Sequence, residues 1–345
     1  MSRLQEALKG IEYIIIDEYS MLGQVMFGWI DKSCKQVKGH YDLPFGGFSI
    51  ILTGDPGQLP PVGDKPIYHA KPSNNIAEQG YLAYRMFDKV VKLTVNQRVQ
   101  GSDPDQVQFR DLLSRLRKGE STVDDWNLLL SRQPTNVSNL DDFENATRLF
   151  YRNEDVGNYN FDQLIKLGET IANTNARHSS ALAKKISPDE MSGLEPFILL
   201  AKGAKVMMTI NLWPSVGLCN GTTGIIRHII YQTDHQPSDL PIAVIVQFDN
   251  YRGPSISDTT PSCVPICPIT VSANTTDGIH ERQQLPLKLA WAITIHKSQG
   301  LTLPKAWVDI GKKEITFGIS YVGLSRVKAL SACVIEPMTY QRLSR

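Results

Sequence analysis

Two short apolar runs, each ending on an acid, constrain the fold of this chain more than any other feature. Tyr13-Ile14-Ile15-Ile16 stops at Asp17-Glu18, and Ser49-Ile50-Ile51-Leu52-Thr53 stops at Gly54-Asp55. An unalternating, β-branched run reads as a strand covered on both faces, as in a parallel sheet. Between the runs lie a helix-compatible stretch, Val25 to Val37, and then Pro44-Phe45-Gly46-Gly47. Strand, helix, strand with acids at both strand ends predicts a doubly wound α/β arrangement, whose ligands sit at the carboxyl ends of the strands. Lys305 to Ile310 and Ser331 to Ile335 read as further buried strands, and Ile319 to Leu330 as a helix carrying Arg326. Asp103-Pro104-Asp105-Gln106 opens another helix: Asp103 caps, Pro104 takes the first helical position and Gln106 closes a capping box. Phe109, Leu112, Leu113 and Leu116 form its apolar face, and Gly119 ends it.

Residues 203–250 change character. Val206-Met207-Met208-Thr209, Gly224-Ile225-Ile226 and Ala243 to Phe248 are short strands split by Asn220-Gly221 and by Pro- and Asp-rich turns. That spacing predicts a small antiparallel β-barrel inserted in the α/β chain. Asn250 to Thr276, rich in Pro, Ser and Thr, reads as a long loop. Cys263 and Cys267 then read as loop cysteines and not as a metal pair, since no second Cys or His pair sits at zinc spacing.

The net charge of +1 over 345 residues gives no global basic field, so any nucleic-acid site must be a local groove. Five scattered cysteines fit a reducing compartment. The N-terminus lacks the apolar core of a signal peptide, and no apolar run approaches the ~20 residues that cross a bilayer. The expectation is an intracellular protein without a membrane partner: nuclear, with a mitochondrial pool possible, if eukaryotic, and cytoplasmic otherwise.

The acids suit phosphoryl transfer. That chemistry needs one carboxylate for Mg²⁺ and a second group to orient and deprotonate the attacking water. Asp17 suits the first role and Glu18 the second. In Gly54-Asp55-x-x-Gln58-Leu-Pro-Pro, glycine permits a tight turn and Pro60-Pro61 stiffens the end of the segment. Gln58 on that turn could hydrogen-bond a γ-phosphate or the attacking water. Arg98 and Arg326 are candidate arginine fingers, because a planar guanidinium matches phosphate oxygens in a two-pronged contact. Finally, Thr294-Ile-His296-Lys297-Ser298-Gln299-Gly300 puts hydroxyls, a cation, an amide and a close-approach glycine on one turn. Such a turn can hold a sugar-phosphate backbone on one side and report to a nucleotide on the other. No Gly-x-x-x-x-Gly-Lys-Ser/Thr phosphate loop occurs in these residues.

In their order, 17–18, 54–61, 98, 292–300 and 321–326, these segments resemble the later motifs of the PIF (petite integration frequency) group of superfamily-one DNA helicases, relatives of RecD. Leu43-Pro-Phe-Gly-Gly, Lys202-Gly-Ala-Lys-Val-Met-Met and Pro214-Ser-x-Gly-Leu-Cys-Asn-Gly-Thr-x-Gly extend the likeness over nearly the whole chain, and Asn153 and Asn160 look like the group's paired asparagines. The resemblance implies an ATP-dependent helicase, moving 5′ to 3′ on single-stranded DNA and unwinding duplex DNA in repair, recombination, telomere or replication work. It implies RecA-like motor domains with ATP and Mg²⁺ between them: residues 1–93 as part of the first, 94–203 and 286–345 as the second, and 204–285 as an inserted Src-homology-three-like barrel with its loop. Asp17 would hold Mg²⁺ and Glu18 the water. Gln58 would sense the γ-phosphate, with Gly300 also near the nucleotide. Arg98 and Arg326 would reach in from the second domain, and Thr294, His296, Lys297, Ser298 and Gln299 would touch DNA. A monomer is expected. The group's phosphate loop would precede residue 1, which makes these residues alone catalytically incomplete. The alternatives are a decayed mobile-element copy and a non-catalytic relative that binds single-stranded DNA.

Overall fold

The computed structural model describes residues 3–236, 239–255, 260, 262–311 and 316–337. The chain divides into two compact units, one of Met1–Glu144 with Ile295–Arg345 and one of Asn145–Thr294. No helix among the described residues is long and apolar enough to cross a membrane.

In the first unit the two apolar runs pair in parallel, from Tyr13 opposite Ser49 to Ile16 opposite Leu52. The helix Gln24–Lys38 makes the crossover between them. Ile14, Ile16, Ile50 and Leu52 pack onto Phe27, Cys34, Phe45, Phe48, Ile67 and Ala83. The expectation of cover on both faces needs correcting. Tyr13 and Ile15 are 62% and 67% exposed, and Ile51 is also open. The packed core lies on one side of this two-stranded sheet, so alternate residues point away from it.

Ala306–Asp309 and Cys333–Glu336 form a second parallel pair in the same unit. The helix Pro104–Lys118 begins and ends as its sequence predicts: the Asp103 carboxylate accepts from the Gln106 N–H, and Gly119 closes it at φ 73°. Its capping box is only half made, because the Gln106 side-chain oxygen is buried without a partner. The helix expected from Ile319 to Leu330 stops at Leu324. Ser325 Oγ and Arg326 Nε both donate to the Val322 carbonyl, and these side chains take the acceptor that a further turn would use. Arg326 therefore lies just beyond the helix.

In the second unit Thr147–Phe150 pairs in parallel with Ala292–Thr294, and the helix Asn153–Lys166 follows the first of these. The remainder is antiparallel. One sheet runs in spatial order Cys263–Ile266, Ala243–Phe248, Thr223–Ile230, Lys205–Met208, Leu287–Leu289. A second joins Ile269–Thr275, Gly278–Gln284 and Arg177–His178. Val206, Met208, Ile226, Val244, Val246 and Phe248 fill the core between strand and helix. The long loop expected from Asn250 to Thr276 thus contains two strands, Cys263–Ile266 and Ile269–Thr275. Pro265 disguises the first of them, yet it sits on an edge strand, where a missing N–H costs least. The Thr- and Ser-rich stretch after it is a hairpin arm, and threonine is a good strand former. Cys263 is accordingly a buried strand residue, while Cys267 is exposed, and both are free thiols.

Arg282 is fully buried on the Gly278–Gln284 strand. Its guanidinium donates to the carbonyls of Leu194 (2.7 Å), Ala183 (2.9 Å) and Ile186 (2.7 Å). It thereby ties the short helix Ala181–Lys185 and the turn at Leu194 to the hairpin.

Candidate active site

The strand Tyr13–Ile16 delivers Asp17 and Glu18 at its carboxyl end. Asp17 Oδ1 accepts from Thr53 Oγ1 at 2.5 Å and from the Glu18 N–H at 2.8 Å, which pins it to the end of the neighbouring strand. Asp17 is exposed, and its other carboxylate oxygen takes neither bond. Mg²⁺ in phosphoryl-transfer sites is held by one or two carboxylates plus phosphate and water, so a single free carboxylate oxygen fits it. No cluster of three or more His, Cys, Asp or Glu that could cage a metal occurs among the described residues. Glu18 turns the chain in the left-handed region, at φ 54° and ψ 43°. Its Oε2 accepts from Gln299 Nε2 at 2.9 Å.

The Gly54-to-Pro61 turn is held by its own aspartate. Gly54 adopts φ 148°, and a Cβ there would stand 2.9 Å from the Tyr19 nitrogen. Asp55 Oδ1 accepts from the Gly57 N–H (2.9 Å) and from Arg117 through Nε (2.7 Å) and Nη2 (2.6 Å). Asp55 Oδ2 accepts from the Tyr321 hydroxyl at 3.1 Å. Gly318 completes the fit, since a Cβ on it would meet the Gly57 and Gln58 carbonyls at 2.8 and 3.0 Å. These contacts present Gln58, whose side-chain oxygen is buried without a partner, as is Ser320 Oγ. Buried orphan acceptors are uncommon and suit a polar ligand or water.

Burial pushes the Asp55 carboxyl up, but the Arg117 bond and charge, the Gly57 amide and the Tyr321 hydroxyl outweigh it and hold it below the usual carboxylate range. Burial, with the Asp55 charge and bond, pushes the Tyr321 phenol up to about 12. A lowered folded value means that Asp55 contributes stability at pH above the unfolded aspartate value of about 3.9. That contribution is lost as pH falls through the folded value. Asp55→Asn is therefore expected to melt earlier than the parent at neutral pH, with the gap closing in acid below about pH 3.9. Thermal melts across pH check this; a gap that stays constant with pH would count against the ion pair.

Arg326 is 2% exposed and donates to the carbonyl of Ser298 (3.2 Å) and to Ser325 Oγ (2.7 Å) as well as to Val322. Arg98 donates to Thr302 Oγ1 (2.9 Å) and to the Ser325 carbonyl (3.1 Å). Burial, and then the Arg98 charge, brings Arg326 down to about 10. It stays a cation at neutral pH, and both guanidiniums are bonded to Ser325, Arg98 to its carbonyl and Arg326 to its hydroxyl.

The His296–Ser298 turn continues the same unit. Lys297 is exposed, and burial lowers the half-buried His296. Ser298 is buried, and its hydroxyl donates to the Ile295 carbonyl at 2.7 Å, a structural use. Gly300 turns at φ 79°, its Cβ position 3.8 Å from Glu18 Oε1. So Asp17, Glu18, Gln299 and Gly300 come together, and Arg98, Arg326 and Ser298 share one bonded network, all within the first unit. Thr294 is buried and belongs to the second unit. There, Asn160 accepts from the Ala292 N–H (2.8 Å) and donates to the Ala292 carbonyl (3.0 Å) two residues before Thr294. Sequence reasoning missed Thr53, Arg117, Tyr321 and Thr302. Only Thr53, a hydroxyl closing an apolar strand, carried a readable signal.

A family model described as PIF1-like helicase matches residues 1–126, and one for the 2B domain of DNA helicase Pif1 matches residues 197–229. The chain is 32% identical to the ATP-dependent DNA helicase PIF1 of Xenopus laevis, over 92% of this chain and 45% of that protein. It is 30% identical to the ATP-dependent DNA helicase Pif1 of Psychrobacter sp. (strain PRwf-1), over 95% and 53%. The chain thus spans about half the length of these curated relatives. Among solved structures it resembles Bacteroides Pif1 bound to single-stranded DNA at 25% identity and a TM-score of 0.69, over 99% of this chain and 75% of that one. It shares the fold of Pif1 helicase from Candida albicans at 22% identity and a TM-score of 0.74, over 99% and 76%.

Proposed function

The chain belongs to the PIF1-like helicase family, and from that premise we propose that it forms part of an ATP-dependent 5′–3′ DNA helicase. Its substrate is single-stranded DNA on the way to unwound duplex, and its setting is repair, recombination, telomere or replication maintenance. The observation that carries this reading is the acid pair at the carboxyl end of one parallel strand, bonded through Asp17 to Thr53 at the end of the other, with the orphan acceptor of Gln58 on the turn that follows Thr53. Mg²⁺, when bound, would neutralise phosphate charge; Asp17 would hold it. Glu18 takes the proton of the attacking water at a carboxylate oxygen, Gln58 orients that water, and Arg98 and Arg326 face the transferred phosphate. His296, Lys297 and Gln299 carry the strand contact, with Thr294 and Ser298 shaping its turn. Residues 1–93 are read as part of the first motor domain, 94–203 with 286–345 as the second, and 204–285 as the inserted barrel. The protein is read as a nuclear or, in a bacterium, cytoplasmic monomer.

The DNA part of the reading is testable on these residues alone. A folded chain is expected to bind an oligo-dT probe, with affinity falling about tenfold between roughly 50 and 200 mM salt, the dependence of about two or three phosphate contacts. Lys297→Ala with His296→Ala should weaken binding and flatten the salt dependence. Fluorescence anisotropy, with circular dichroism to establish folding, decides. Absence of binding at low salt refutes the strand-contact role of His296, Lys297 and Gln299.

A further inference from the structure

The geometry points to a latch: the Gln299–Glu18 hydrogen bond ties the strand-contact turn to the acid that serves as base, so that single-stranded DNA binding and release of the Glu18 carboxylate are linked. This rests on the proposed helicase function and adds a regulatory contact to it.

Gln299 Nε2 donates to Glu18 Oε2 at 2.9 Å and lies 3.4 Å from Ser20 Oγ. The amide donor occupies a carboxylate lone pair that the proton of an attacking water would need. Latched, that oxygen is not open to the water. The contact is also only half satisfied, because the Gln299 side-chain oxygen is buried without a partner. Glu18 itself stands in a sparsely populated backbone region that persists only where its surroundings hold it. On the other side of the same segment, Arg326 holds the Ser298 carbonyl and Arg98 holds Thr302. Residues 298–302 are therefore suspended between the acid and two guanidiniums. Lys297 and His296 lie two and three residues before Gln299, so a strand pulling on them moves the latch directly. The arrangement makes Gln299 a positioning residue for Glu18.

Coupling of this kind is reciprocal. If the strand must open the latch, removing the latch from the Glu18 side must tighten DNA binding. The experiment is oligo-dT anisotropy on the full chain. Glu18→Ala, which has no acceptor to offer, is expected to bind about three- to tenfold more tightly than Glu18→Gln, which keeps one. Both substitutions remove the same charge, so the difference between them reports the bond and not electrostatic attraction. Glu18→Ser, too short to reach Gln299, should match Glu18→Ala and serves if that variant does not fold. Adding Gln299→Ala to Glu18→Ala should bring no further tightening. If Glu18→Ala and Glu18→Ser bind no more tightly than Glu18→Gln while the parent binds DNA, the latch is wrong and the DNA reading survives. If the folded parent binds no DNA, the DNA reading fails and takes the latch with it.

Discussion

Supplied with a Gly-x-x-x-x-Gly-Lys-Thr loop in the same polypeptide, the Glu18→Gln variant loses ATP turnover by roughly 10³-fold and still binds ATP, since the amide keeps the shape and an acceptor for Gln299 but cannot take a proton, and general bases contribute about 10²–10⁴. Asp17 and its Thr53 and Glu18 N–H contacts are untouched by the change, so the site for Mg²⁺ survives. Arg326→Ala should cost about as much, in the range of other arginine fingers. Arg326→Lys should not rescue it, because one ammonium cannot replace a fork that reaches Val322, Ser298 and Ser325 together. Phosphate release with oligo-dT present, alongside nucleotide binding, measures both. Retention of more than about half the activity by either variant removes the role given to that residue.

In the second unit the largest effect is expected at a residue with no part in the chemistry. Arg282→Ala leaves two buried carbonyls, of Leu194 and Ala183, and the part-buried carbonyl of Ile186 without their donor. At about 1–3 kcal/mol for each buried group left unpaired, the loss is about 2 kcal/mol or more. Arg282→Met restores the volume and not the hydrogen bonds, so it should destabilise nearly as much. Hydrogen exchange read by mass spectrometry should show opening at 181–194 and 278–284 first. A methionine variant as protected as the parent would mean that packing, not the carbonyl cage, holds the hairpin.

Legibility in the sequence tracks the range of the forces involved. The paired strands ending at Asp17-Glu18 and Gly54-Asp55, the helix between them and the cap at Asp103 are written in neighbouring residues, and they are legible. The strands at 263–275 are hidden by Pro265 and by a run of Ser and Thr whose strand character depends on the partner across the ladder. The early stop at Leu324 turns on Ser325 and Arg326 choosing a backbone carbonyl, a competition that periodicity cannot register. The bonded network of the candidate site is not legible in the sequence. The Glu18–Gln299 bond joins positions 281 apart, and Asp55 meets Tyr321 across 266. Nothing near Arg117 in sequence indicates that its partner is an aspartate in the Gly54-to-Pro61 turn.

Asn160 carries a consequence for chemical ageing. Its amide answers both the N–H and the carbonyl of Ala292, standing in for the neighbouring strand that the ladder would otherwise supply. Asparagine is a thermolabile residue, and conversion to aspartate would replace the donor with a second acceptor. A carboxylate oxygen would then face the Ala292 carbonyl inside the core. The change of one nitrogen to oxygen, almost without effect on mass or shape, would push apart the strand that leads to Thr294. Burial on a helix, at 5% exposure, keeps that side chain from water, so the setting that positions the strand also shields the amide from this change.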